Sequence, residues 1–61
     1  MAKFHISYQY REIADPARVI RGISIETAKH VGFAIDNTAA ALHSDERVIE
    51  SSIVILDAKA A

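Results

Sequence analysis

Thr27-Ala-Lys-His-Val-Gly-Phe-Ala-Ile-Asp-Asn-Thr-Ala-Ala-Ala-Leu-His43 is the one stretch of the chain with a helical period, and the segments on either side alternate as strands do. With Ala28 set at 0° and about 100° of turn per residue, Val31, Gly32, Ile35, Ala39 and Leu42 fall with it in a stripe roughly 100° wide. That stripe predicts the face that meets a sheet. Thr27 is the expected N-cap, because its hydroxyl can accept from an amide one turn on that has no carbonyl partner. His43 stands where the helix ends, at the negative end of the macrodipole. Gly32 costs about 1 kcal/mol against alanine in a helix interior. Its presence predicts close approach to a bulky sheet residue such as Tyr8 or Phe4.

Upstream, Lys3 to Ile13 alternates with a period of two. Phe4, Ile6, Tyr8 and Tyr10 make one face, and His5, Ser7, Gln9 and Arg11 make a wholly polar other face. Such a strand belongs to an antiparallel sheet with one side in water. Ala14-Asp15-Pro16-Ala17 reads as a turn, so the next run, Arg18 to Glu26, closes a hairpin. Ile23 and Ile25 share a face there, the inward one in either of the registers open to the strand. Strict alternation adds Val19 and Arg21 to that face, whereas a bulge at Arg21-Gly22 would bring Ile20 inward and leave Arg21 in water. Both registers stay open at the level of sequence.

Downstream, Asp45-Glu46-Arg47 reads as a loop and Val48 to Asp57 as a third strand, with Ala58 to Ala61 fraying. Ile49, Ser51, Ile53 and Ile55 lie on one face of that strand, and Val48, Ser52, Val54 and Leu56 on the other. The expected fold is therefore α+β: one domain over residues 1–61, ordered β-β-α-β, with strands at about 3–13, 18–26 and 48–57 and a helix at about 27–43. Sheet order 2-1-3, all antiparallel, suits the polar outer face of the first strand, and one helix covers the other face.

A domain of 61 residues buries only about 60% of the surface its unfolded chain exposes. Small domains usually add a disulfide, a metal or a partner subunit, and the chain has no cysteine. Val54 and Leu56 would face water on an edge strand, and apolar edges invite pairing. A two-fold homodimer follows as the expectation, either by pairing of the third strand with its own copy or by stacking of the open sheet faces. Val54 and Leu56 are its expected contacts. The stretch Met1 to His5 has no apolar signal core, and the cysteine-free composition suits a reducing cytoplasm.

The residues offer little for catalysis. His5, His30 and His43 do not converge, since His30 and His43 lie about 140° apart on the helix, and zinc needs three or four ligands together. Neither metal nor cofactor is expected. Ser51-Ser52 lacks a sharp Gly-x-Ser-x-Gly turn, and two glycines do not make a phosphate-cradling loop. No nucleophile stands beside a base, so an enzyme is not expected. Seven basic against eight acidic residues leave no basic excess for nucleic acid, and Tyr8 and Tyr10 share the face the helix should cover.

Phe33 is left over. It falls near 140° on the wheel, away from the core stripe, with Lys29, His30, Asp36, Asn37 and Ala40 around it. An outward aromatic ringed by polar groups is how protein interfaces concentrate their energy. The sequence thus predicts a non-enzymatic protein-binding module, a homodimeric inhibitor or adaptor of the kind phages and mobile elements make against host machinery. That last step is an analogy of size and composition. A small nucleic-acid-binding regulator is the alternative.

Overall fold

A computed structural model describes residues Met1 to Ala61. Strand β1 (Ala2–Glu12) and strand β2 (Asp15–Ala28) form a hairpin, followed by helix α1 (Val31–His43), a single 3-10 turn (Glu50–Ser52) and strand β3 (Val54–Ala60). The sheet order is β2-β1-β3 with both pairings antiparallel, the predicted α+β arrangement. The molecule measures 37 × 17 × 13 Å, a slab one sheet and one helix thick.

The covered side of the sheet is built around Ile6, which is fully buried. Its cross-strand partners are Ser24 on β2 and Ala58 on β3, both small, so the helix can sit close. It does so with Ala34, also fully buried, while Ala28 completes the cluster and Phe4, Ile35, Ile55 and Ala58 pack around it. The other end of this side carries Tyr8 and Tyr10, stacked at 6.0 Å.

The helix departs from the predicted one at its start. Thr27 and Ala28 remain in β2, paired with Lys3 and Ala2. Thr27 is therefore no N-cap, and the cap position falls to His30, whose side chain makes no capping bond. Ladder bonds to β1 satisfy the backbone of residues 27 and 28 before a helix can claim it. The buried side of α1 is Ala34 and Thr38, with Ile35, Ala39 and Leu42 half-buried. Ile35, Ala39 and Leu42 were expected there, but Val31 and Gly32 are exposed. The wheel is turned by roughly 40° from the apolar stripe, because the helix meets the small residues around Ile6 with its own small residues.

Thr38 has only 2% of its surface exposed, and its Oγ1 has no hydrogen-bond partner. A buried hydroxyl left unpaired costs about 1–3 kcal/mol. Thr38→Val keeps the branched shape and removes the hydroxyl, so it should stabilise the domain by about 1 kcal/mol and raise Tm by about 4–8 °C. A melting curve that falls instead would show that the hydroxyl is bonded in solution.

The close approach expected of Gly32 belongs to Gly22. Nothing lies within 4 Å of a Cβ built on Gly32, whereas one on Gly22 would stand 2.6 Å from Tyr8 Oη and 2.8 Å from its Cζ. Tyr8 and Gly22 are cross-strand partners, and the ring folds over the gap the glycine leaves. This pairing settles the β2 register. Strict alternation holds through Arg21-Gly22 without a bulge, and Ile20, Gly22, Ser24, Glu26 and Ala28 share the helix side. Ile23 and Ile25, expected inward, are 65% and 64% exposed on the open side. Ser24 Oγ donates to Glu26 Oε1 at 3.1 Å, so the inward polar groups satisfy each other.

Strand β3 also differs from the expectation of 48–57. Val48 forms only an isolated bridge to Glu12, and the chain then folds into the 3-10 turn before pairing resumes at Val54. Ser52 causes the break: its Oγ accepts from the Arg11 amide at 2.8 Å and donates to the Ile49 carbonyl at 2.6 Å. Serine competes with the ladder by bonding nearby backbone in this way. The far end does not fray as predicted. Ala58, Lys59 and Ala60 pair with Ile6, His5 and Phe4, and the Ala61 amide donates to the Lys3 carbonyl at 2.9 Å. A bulge opposite Ser7 and Tyr8 adds Leu56 to the strand.

Candidate functional site

Directly paired residues of a sheet stand on the same side, so the register assigns the open face. Lys3, His5, Ser7 and Gln9 run along its centre on β1. Thr27, Ile25, Ile23 and Arg21 face them from β2, and Lys59, Asp57 and Val54 from β3. A shallow depression of about 320 Å³ is lined by Ser7, Arg21, Ile23 and Leu56, with Tyr8 and Gly22 beneath. A second, of about 250 Å³, is lined by Gln9, Arg11, Val19 and Val54 together with Tyr10, Ser51 and Ser52. Both lie on the open side.

Val19, Ile23, Ile25, Val54 and Leu56 are each 44% exposed or more. They form two aliphatic rows, one on each outer strand, with the polar residues of β1 between them. The predicted polar face is therefore polar along its middle strand, while the outer strands mix these aliphatics with Arg21 and Thr27 on β2 and Asp57 and Lys59 on β3. Sequence reading missed the rows because it sent Ile23 and Ile25 inward. The available signal was Gly22, whose partner across the hairpin is the bulky Tyr8.

Charge divides unevenly between the two sides. Lys3, Arg11, Arg21 and Lys59 stand on the open side against Asp57 alone, giving it +3. The whole chain carries −1, so everything else carries −4. The one carboxylate of the open face is partnered, with Lys59 Nζ 3.5 Å from Asp57 Oδ2. This basic patch was invisible in the overall composition, because the acidic residues lie on the helix side, in the loops and at the hairpin end.

The residues singled out around Phe33 lie together on the outer surface of α1. Phe33 is 55% exposed, and Lys29, His30, Asp36, Asn37 and Ala40 are exposed as well. The His30 and Phe33 rings stand 5.6 Å apart, tilted by 39°, where the chain turns into the helix. Val54 and Leu56, expected at a dimer contact, are exposed on edge strand β3. The two surfaces are separate: one lies on the outer side of the helix and the other on the open side of the sheet.

Two ionisable groups are moved from their ordinary values, and they belong to one loop. The Arg47 guanidinium donates to both Asp45 oxygens at 3.1 and 3.2 Å, and the Arg47 amide donates to Asp45 Oδ1 at 3.0 Å. The side-chain bonds first and the amide bond second hold the Asp45 carboxyl below its usual range. The same contact raises Arg47. The pair closes the loop after α1, away from both exposed surfaces. No three His, Cys, Asp or Glu side chains group as a metal site would require, and no helix is long and apolar enough to cross a membrane.

The chain matches no protein-family model, no curated protein and no solved structure.

Proposed function

We propose that this chain is a non-enzymatic protein-binding module, working as a homodimeric inhibitor or adaptor. The observation that carries the reading is surface. Six residues are buried, while nine large apolar side chains stay 40% exposed or more. The accessible surface is 4239 Å², against ~3,900 Å² for a compact monomer of this mass. Scattered exposed aliphatics need no explanation, but here five form two rows on one face and an aromatic stands on the helix opposite. Protein surfaces cover such groups with polar rims left in water.

The homodimer forms through the outer edge of β3. Strand β2, the other edge, carries Pro16, Arg18 and Arg21, which discourage pairing. On β3 the charged residues are confined to Asp57 and Lys59, and Val54 to Leu56 is free of them. Stacking of two open faces is disfavoured because it opposes +3 with +3. Light scattering after gel filtration should give twice the 6.7 kDa of one chain, and Val54→Lys should return the mass to that of a monomer. A wild-type monomer at micromolar concentration would exclude the homodimer.

The helix surface is tested by Phe33→Asp. Because Phe33 is largely solvent-exposed, the variant should melt within about 0.5 kcal/mol of wild type yet lose at least tenfold in affinity for a partner held by that ring. Global unfolding of the variant would show that the ring supports the core.

A further inference from the structure

We infer that the open face of the sheet receives an acidic amphipathic helix of another protein, laid along β1 between the aliphatic rows of β2 and β3. This rests on the protein-binding reading and names the chemistry of the partner. The rows stand one strand to either side of β1, so their backbones are about 10 Å apart, and a helix of about 10–12 Å diameter laid along β1 rests on both rows at once. Ser7 and Gln9 are half-buried between them, and the two depressions open along this strip. The face is thus a shallow polar channel flanked by aliphatic side chains, with Arg21 inside the β2 row and Asp57 and Lys59 following Val54 and Leu56 on β3. Its length along β1 accommodates a helix of about 18 residues, ~27 Å long.

Charge selects the occupant. Lys3 and Lys59 stand toward one end of the channel and Arg11 and Arg21 toward the other, while Asp57 is engaged by Lys59. A partner with a Leu/Ile stripe flanked by Glu and Asp covers the aliphatic side chains and answers the cations together. A second copy of this chain does not, since like charges would face each other. A nucleic acid would meet the cations but leave Ile23 and Ile25 in water. Although Tyr8 and Tyr10 border the depressions, their rings stack on each other on the helix side of the sheet and give bases no platform on the open face. An anionic membrane would cover the aliphatic rows but also dehydrate the polar strip between them without supplying hydrogen bonds.

The test titrates the isotope-labelled full chain with two synthetic peptides of about 18 residues. They share one aliphatic stripe at helical spacing and carry glutamate flanks in one and lysine flanks in the other. A single-stranded oligonucleotide and phosphatidylserine vesicles complete the set. The acidic peptide should bind at least tenfold tighter than the basic one, with amide shifts at Ser7, Gln9, Ile23 and Leu56 and weaker binding as salt rises. Arg21→Glu combined with Lys59→Glu, both on exposed positions, should reverse the preference while the melting curve stays that of a folded domain. Equal affinity for the two peptides, binding of neither, or shifts confined to Phe33 and its neighbours would overturn the inference. Shifts at Phe33 would leave the protein-binding reading standing. Tighter binding of the oligonucleotide or the vesicles would overturn both.

Discussion

Ile6→Ala is expected to cost about 3–4 kcal/mol, since deleting buried aliphatic carbons loses transfer energy and leaves a cavity. Ile6 is fully buried and touches the sheet's small residues and Ala34 at once. Neither α1 nor the sheet can collapse far into the space, because both already meet there through small groups. At roughly 0.05–0.15 kcal/mol per residue a chain of this length has about 3–9 kcal/mol in total, so the variant should be substantially unfolded at 37 °C. Ile23→Ala is the control. It removes the same atoms from a side chain 65% exposed and should cost less than about 0.5 kcal/mol. Urea unfolding of both variants reads the difference directly. Comparable losses would mean that Ile23 is covered in solution or that Ile6 is not the centre of the core.

Ser52→Ala should cost about 2 kcal/mol, large for the loss of one oxygen atom. That oxygen accepts from the Arg11 amide and donates to the Ile49 carbonyl. Without it the amide is left in a partly buried place with no acceptor, and an unmade bond costs more than a made one contributes. The effect should also be local. Around Ser52 the Ile49 amide donates to the Arg11 carbonyl and the Ile13 amide to the Arg47 carbonyl, at 2.8 and 2.9 Å. Amide exchange at Arg11, Ile13 and Ile49 should therefore accelerate more than at Ile6 or Tyr8. Uniform acceleration across the sheet would show instead that Ser52 acts only through global stability. A loss below about 0.5 kcal/mol would remove the hydroxyl from the account of why β3 starts late.

These variants probe two places where local pattern and tertiary packing compete. The period of β1 and the apolar run of α1 are written in residue types, as is a turn between β1 and β2, although it falls at Ile13-Ala14 and leaves Asp15, Pro16 and Ala17, read as turn residues, in β2. These patterns were enough for the order β-β-α-β, the antiparallel sheet 2-1-3 and the half-buried helix positions Ile35, Ala39 and Leu42, but not for Ala34 and Thr38, the two helix residues that are buried. Phe33 could be placed on the outer side of the helix for the same reason: on a helix the angular position follows from counting. A strand offers only two sides, so one decision about register moves every side chain together. Apolar Ile23 and Ile25 pointed that decision the wrong way, and the Tyr8–Gly22 pair outweighed them.

Alternation and helical period settled the elements and their order, because both depend on neighbours in the chain. Which side of β2 meets the helix was settled only across the hairpin, where a tyrosine ring needs the space of a missing Cβ. The helix turned by roughly 40° from its apolar stripe for a related reason: Ile6 fills the gap between Ser24 and Ala58, and only small helix residues fit above it. The division of charge into +3 and −4 followed from these same contacts. Residues far apart in sequence became one basic, aliphatic-flanked face when the sheet formed, and composition averages that face away.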